Sequence, residues 1–325
     1  MINACNELGY VRNGLPRSSV PDDKVLVAIT PTLSNLYYVH MVEAMQRRAK
    51  ELGYVLLAFD TFREIPQETR IVQLCSQFPF AGVCFLYPVE NNMLMEQVEW
   101  AKPVVHIYDK GVRNDADTLE LDGFRIGRII GEYLLGLGHE RVAFVTSTFE
   151  TRQVTRVRRL EGLRAVYEEH GFDPEKSVLV CSPELELSDV KVVPEGYELG
   201  YRMAKKLIER QEEVTAFVDI NDMIAVGIMD AVTDSGNHIP EDYSVCGCDN
   251  TSVSKYKGIS LTSVECYARQ TGREAIDILT RNIEDGNYLS ELEDNPDGVT
   301  RVEYFPKLIV RKSTGPCEKR EKRQV

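Results

Sequence analysis

From Lys24 onward the chain alternates short apolar runs with amphipathic stretches, and few architectures accept that order. Runs at Val25–Thr30, Tyr54–Phe59, Gly82–Tyr87, Val104–Tyr108, Val142–Thr146, Val178–Cys181, Thr215–Asp219 and Tyr243–Gly247 read as strands. Several are continuously apolar, the signature of parallel strands covered on both faces. Between them lie helical stripes. Leu36–Leu52 carries Tyr38, Met41, Val42, Met45, Ala49 and Leu52 at helical spacing, and Gly53 is placed to end it. Phe124–Leu137 stops at Gly138 and Arg159–His170 at Gly171 by the same device, and Tyr197–Arg210 and Tyr267–Glu284 repeat the periodicity. Such βα units predict an α/β fold of doubly wound parallel sheets. Eight strands plus late strand material at Val302–Val310 divide better between two Rossmann-like sheets than into one, and 325 residues suffice for two domains.

Charge and cysteines narrow the class of function. A net charge of −13 opposes a broad nucleic-acid-binding surface, which needs concentrated Lys and Arg. Eight scattered cysteines, several inside apolar strands, read as buried free thiols of a reducing, cytoplasmic protein. No apolar run reaches the length that crosses a bilayer, so no membrane partner is expected. MINACNELGYVRN lacks the basic and apolar regions of a secretory signal. Residues 1–23 read as a short helical piece, Ile2–Leu8, followed by a linker. Tyr288–Gly298 reads as an acidic surface loop and 316–325 as a disordered tail.

Enzymatic signatures are missing. Gly136-Leu-Gly138-His-Glu-Arg141 lacks the third glycine of a dinucleotide loop and follows a helix, the reverse of the required order. There is no G-x-x-x-x-G-K and no G-x-S-x-G, and the five histidines are isolated. The chain therefore reads as a binder rather than an enzyme, with no catalytic residue, cofactor or metal expected. Ligands of open α/β sheets sit beyond the carboxyl ends of the strands, and polar groups gather there. Thr215–Asp219 and Tyr243–Gly247 lead into Asp219 and Asp249, with Asn221 and Asn250 just beyond. Asn221 also suits a helix N-cap. After the first strand come Ser34, Asn35, Tyr37 and Tyr38; after the fourth, Asp109; after the fifth, Gln153, Thr155, Arg158 and Arg159. Each has a plainer role open to it: Tyr38 as core, Asp109 as a turn cap, Arg158 and Arg159 as a solvated helix start. Their shared place at strand ends is what groups them.

Taken together, VLVAITPTLSNLYY, AKELGYVLLAFDT, LLGLGHERVAFVTS, RRLEGLRAVYEEHG, VDINDMIAVGIMDAV, IPEDYSVCGCDN and LIVRKST resemble the LacI/GalR family of bacterial transcription regulators over nearly all of residues 24–315. The resemblance implies a sensor of the periplasmic-binding-protein type I kind, two subdomains joined by three crossovers. Carried over, the N-subdomain spans 24–138 plus 266–297 and the C-subdomain 139–265 plus 298–315. It implies a homodimer that binds a small-molecule effector, a sugar or nucleoside-like metabolite, in the cleft between subdomains. The matching contact positions are Tyr37 and Tyr38 as an aromatic wall, with Asp109, Gln153, Thr155, Arg159, Asn221, Asp249 and Tyr267; Gln153 stands where some relatives place a basic residue. INACNELGYVRN resembles only the last helix and exit of the family's helix-turn-helix domain, and GLPRSSVPDDK lacks the Ala-Arg-x-Leu hinge pattern. Operator DNA is thus expected as a partner only through a complete helix-turn-helix domain that the chain as written lacks. The alternative within the same fold is a sugar-binding protein of a transport system.

Overall fold

The computed structural model describes residues 24–112, 116–147, 154–183, 196–285 and 299–317. The expectations for 1–23, for Gln153, for Tyr288–Gly298 and for the tail beyond Cys317 lie outside the described residues.

The first lobe opens with β1 (Val25–Thr30), α1 (Leu36–Glu51), β2 (Val55–Asp60), α2 (Ile65–Gln77), β3 (Gly82–Phe85), α3 (Asn92–Ala101), β4 (Val104–Asp109) and β5 (Thr118–Leu121). The second is built from α4 (Gly123–Gly136), β6 (Val142–Val145), α5 (Val154–Glu169), the single turn α6 (Pro174–Ser177), β7 (Val178–Cys181), α7 (Gly196–Glu209), β8 (Ala216–Asp219), α8 (Asp222–Asp234), β9 (Ser244–Asp249) and β10 (Thr262–Glu265). The chain then returns through α9 (Ala268–Asp285) to β11 (Arg301–Tyr304) and β12 (Lys307–Ile309).

One sheet has the order β11-β5-β4-β3-β1-β2, the other β12-β10-β9-β8-β6-β7. All pairings are parallel except β10 with β12. Each lobe thus repeats one winding, and its strand order reverses between β1 and β3 in the first lobe and between β6 and β8 in the second. Loops leaving the strands on either side of such a reversal diverge to opposite faces and open a crevice. The apolar strands behave as parallel strands should. In the first lobe one buried cluster joins Leu26, Ala28 and Cys84 to α1 and α9, and another joins Val27, Ile29 and Val83 to α2 and α3. The second lobe has a single larger cluster.

Side-chain caps set where the helices begin. Asn35, Asn91, Asp122 and Asn221 each accept a backbone N–H from the first turn of α1, α3, α4 and α8. Three helices, α2, α3 and the single turn α6, and two strands, β5 and β10, were not among the sequence-based expectations. The domain boundaries also shift. The stripe Ile126, Ile130 and Leu134 of α4 packs into the second-lobe core, so the chain crosses at Leu121–Asp122 rather than after residue 138. The segment 298–315, expected whole in the second lobe, is divided: β11 pairs with β5 and β12 with β10.

The packing of α4 on α5 is close. A Cβ on Gly127 would collide with the Arg159 carbonyl oxygen, and one on Gly162 with that of Phe124. The two glycines therefore set the height at which α5 lies, and with it the position of Arg159.

Candidate functional site

The two reversals face each other across one open cleft, where ligands of such sheets gather. Seven of the nine sequence-predicted contact residues line it: Tyr37, Tyr38, Asp109, Thr155, Arg159, Asn221 and Asp249. Tyr37 and Tyr38 sit on the first turn of α1 with their rings edge to face, 5.3 Å apart. Tyr37 also packs against the cores of both lobes.

The second lobe supplies the hydrogen-bonding groups. Arg159 is buried on α5; its Nη1 donates to the Ile220 carbonyl at 2.8 Å, while Nε has no hydrogen-bond partner among the described residues. Burial works against its charge, but Cys248, Cys266, Asp249 and Asp109 around it outweigh this and raise its pKa. Asn221 spends its Oδ1 on the Met223 and Ile224 N–H groups and keeps its amide NH2. Asp249 ends β9 with a left-handed φ of 96°, and its carboxylate takes no hydrogen bond from any described residue. Burial pushes that carboxyl well above the usual carboxylate range.

Asp109 has a second task. Its Oδ2 accepts from the Gly123 N–H at 3.1 Å, and its Oδ1 lies 2.8 Å from Arg158 Nε, close enough to pair in charge but not aligned as a hydrogen bond. Asp109 closes β4 of the first lobe, whereas Gly123 and Arg158 belong to the second, so the contact ties the lobes beside the crossover. Burial pushes Asp109 up to about 6, against the pull of Arg158.

Tyr267 does not line the cleft. Its backbone is left-handed, φ 54°, which turns it into a separate recess with His40, Lys255 and Arg269. It stacks on Tyr304, centroids 5.8 Å apart, and Tyr304 is the ring that faces the cleft. Arg63, Tyr87, Tyr108, Arg156 and Tyr304 also line the cleft and were not singled out from the sequence. Applying the strand-end rule to the second and third strands, which end beside Arg63 and Tyr87, would have found two of them. The Tyr87 and Tyr108 hydroxyls are already engaged, with Glu68 at 2.7 Å and His106 at 2.8 Å. Among the described residues no group of three or more His, Cys, Asp or Glu could hold a metal ion, and no helix is long and apolar enough to cross a membrane.

A two-lobed α/β fold with its polar groups at facing strand ends is the class that this geometry defines. Residues 132–314 match the family described as periplasmic binding protein-like domain. The chain is similar to the HTH-type transcriptional repressor PurR of Haemophilus influenzae, 24% identical over 96% of this chain and 88% of that protein. In fold it is similar to a LacI family transcriptional regulator from Enterococcus faecalis with bound ribose, TM-score 0.75 at 21% identity, covering 91% of this chain and all of that one. It is likewise similar in fold to the transcriptional regulator CelR in complex with cellobiose, TM-score 0.73 at 22% identity, covering 96% and 89%. The chain belongs to the periplasmic binding protein-like family.

Proposed function

We propose that the chain senses a small polyhydroxylated metabolite, a sugar or nucleoside-like molecule, between its lobes and passes the result to a helix-turn-helix domain on DNA. The observation that carries this is the set of unspent groups in the cleft. The Arg159 Nε, the Asp249 carboxylate and the Asn221 NH2 come from α5, the end of β9 and the start of α8. They stand opposite the Tyr37–Tyr38 pair. Aromatic faces pack on the apolar side of a sugar or base, and buried charged donors and acceptors bond its edges. A ligand touching both lobes favours the arrangement in which they are closest, and it acts only through its differential affinity for the two states.

The bound ribose and cellobiose of the structural neighbours support a sugar in a cleft of this fold. We further propose a cytoplasmic homodimer in which lobe closure resets the distance between paired DNA-binding heads. A thermal-shift screen of sugars and nucleosides identifies the effector. Calorimetry then tests the site: Arg159→Ala and Asp249→Ala each weaken binding by roughly 1.5–3 kcal/mol, the range for a lost charged hydrogen bond. Unchanged affinity in both removes them from it.

A further inference from the structure

The outer end of the cleft continues into a second chamber that shares Asn35, Arg63, Arg156, Ile220 and Asn221 with it. Hydroxyls of Thr32, Ser34 and Ser147 line the rest of it, beside the first turn of α8. Its described lining includes two guanidinium groups and no carboxylate, in a chain whose net charge is −13.

The backbone that carries the first guanidinium is held at a conformational cost. Phe62 and Arg63 are consecutive left-handed residues, φ 52° and 59°, a backbone that side-chain-bearing residues rarely adopt. Asp60 fixes the turn, accepting from the Phe62 N–H at one carboxyl oxygen and from the Leu33 N–H at the other, both at 2.8 Å. Arg63 itself makes no hydrogen bond or ion pair with any described residue. Arg156 comes from the other lobe, on the first turn of α5, and donates to the Ser147 hydroxyl. The N-terminus of α8 adds a partial positive charge; Asn221 already satisfies the Met223 and Ile224 N–H groups, so its contribution there is field rather than donors.

We infer that this chamber is an oxyanion subsite, and that the effector carries a phosphoryl or carboxylate group bracketed by Arg63 and Arg156. The inference rests on the reading of the inner cleft as the effector site. Two guanidinium groups on opposite lobes repel as the lobes approach. An oxyanion between them replaces that repulsion with charge-assisted hydrogen bonds, which guanidinium makes well to either kind of group. A neutral ligand leaves the repulsion in place. The subsite therefore selects for charge and favours the closed arrangement together.

The test uses the full chain at constant ionic strength, with inorganic phosphate followed by 31P line broadening and acetate by saturation-transfer difference NMR. At least one anion binds saturably. Its affinity falls tenfold or more in Arg63→Gln and in Arg156→Gln, and is unchanged in Arg47→Gln on the exposed face of α1. Binding of phosphate alone assigns a phosphoryl group; binding of acetate alone assigns a carboxylate. Absence of saturable binding for both anions, or binding that neither cleft variant alters while circular dichroism shows them folded, overturns the subsite. Neutral sugar or nucleoside binding that is lost in Asp249→Ala, without any anion binding, removes the subsite and leaves the effector cleft standing. Anion binding lost in Arg63→Gln, with every sugar and nucleoside probe indifferent to Asp249→Ala, does the reverse.

Discussion

Asp219 is fully buried at the end of β8, and neither of its carboxyl oxygens has a hydrogen-bond partner among the described residues. Burial pushes its carboxyl well above the usual carboxylate range; Cys248, Asp222 and Asp249 push the same way and Arg159 opposes them. The folded protein therefore holds a proton that the unfolded chain releases near pH 3.8. Stability from this group is complete below that pH and is lost as pH rises through the folded value. Asp219→Asn removes this titration, so the decline of the unfolding temperature between pH 5 and 8 becomes shallower in the variant. Calorimetric curves that stay parallel across that range would show Asp219 to be no part of the slope. Asp222, raised to about 6 by burial despite hydrogen bonds from Ser263 and Thr251, keeps titrating in both proteins. The residue types at the strand ends were readable because chemistry follows from side-chain identity. The protonation of Asp219 was not, because it depends on which neighbours fold in around it.

Among the elements, the α4–α5 pair controls how the site is held. Gly127→Ala drives a methyl group into the Arg159 carbonyl, a backbone atom that cannot swing aside. Overpacking of this kind costs roughly 1–3 kcal/mol, and the value here belongs at the upper end. Gly136→Ala at the end of the same helix meets open space, and it is neutral or stabilises by up to about 1 kcal/mol. Urea unfolding separates the two, and equal midpoints would dismiss the close contact. The long amphipathic helices and the apolar strands were legible because burial on regular faces leaves a period in the sequence. β5 and β10 left none: Thr118, Glu120, Thr262 and Ser263 are buried polar residues. In β10 the partners, Thr314 for Thr262 and Asp222 for Ser263, lie far away in the chain. The membership of α4 was hidden for a related reason. Its apolar stripe says that it packs, but not on which sheet.

At the scale of the whole molecule, the lobes are joined by crossovers at Leu121–Asp122, Glu265–Tyr267 and Phe305–Pro306, and tied by Asp109 across the first of them. Closure about these strands is the motion that the facing reversals permit. A saturating effector is expected to lower the radius of gyration in small-angle scattering, and Asp249→Ala to show no decrease at the same ligand concentration. An unchanged radius in the wild-type protein would remove closure from the mechanism.

The division of the last strands between the lobes has a further consequence. β11 finishes one sheet and β12 the other, only two residues apart. During synthesis neither lobe can complete its edge until the ribosome has passed residue 300, so the two sheets are finished together rather than one after the other. A chain stopped after Thr300 leaves two unfinished sheet edges rather than one intact lobe.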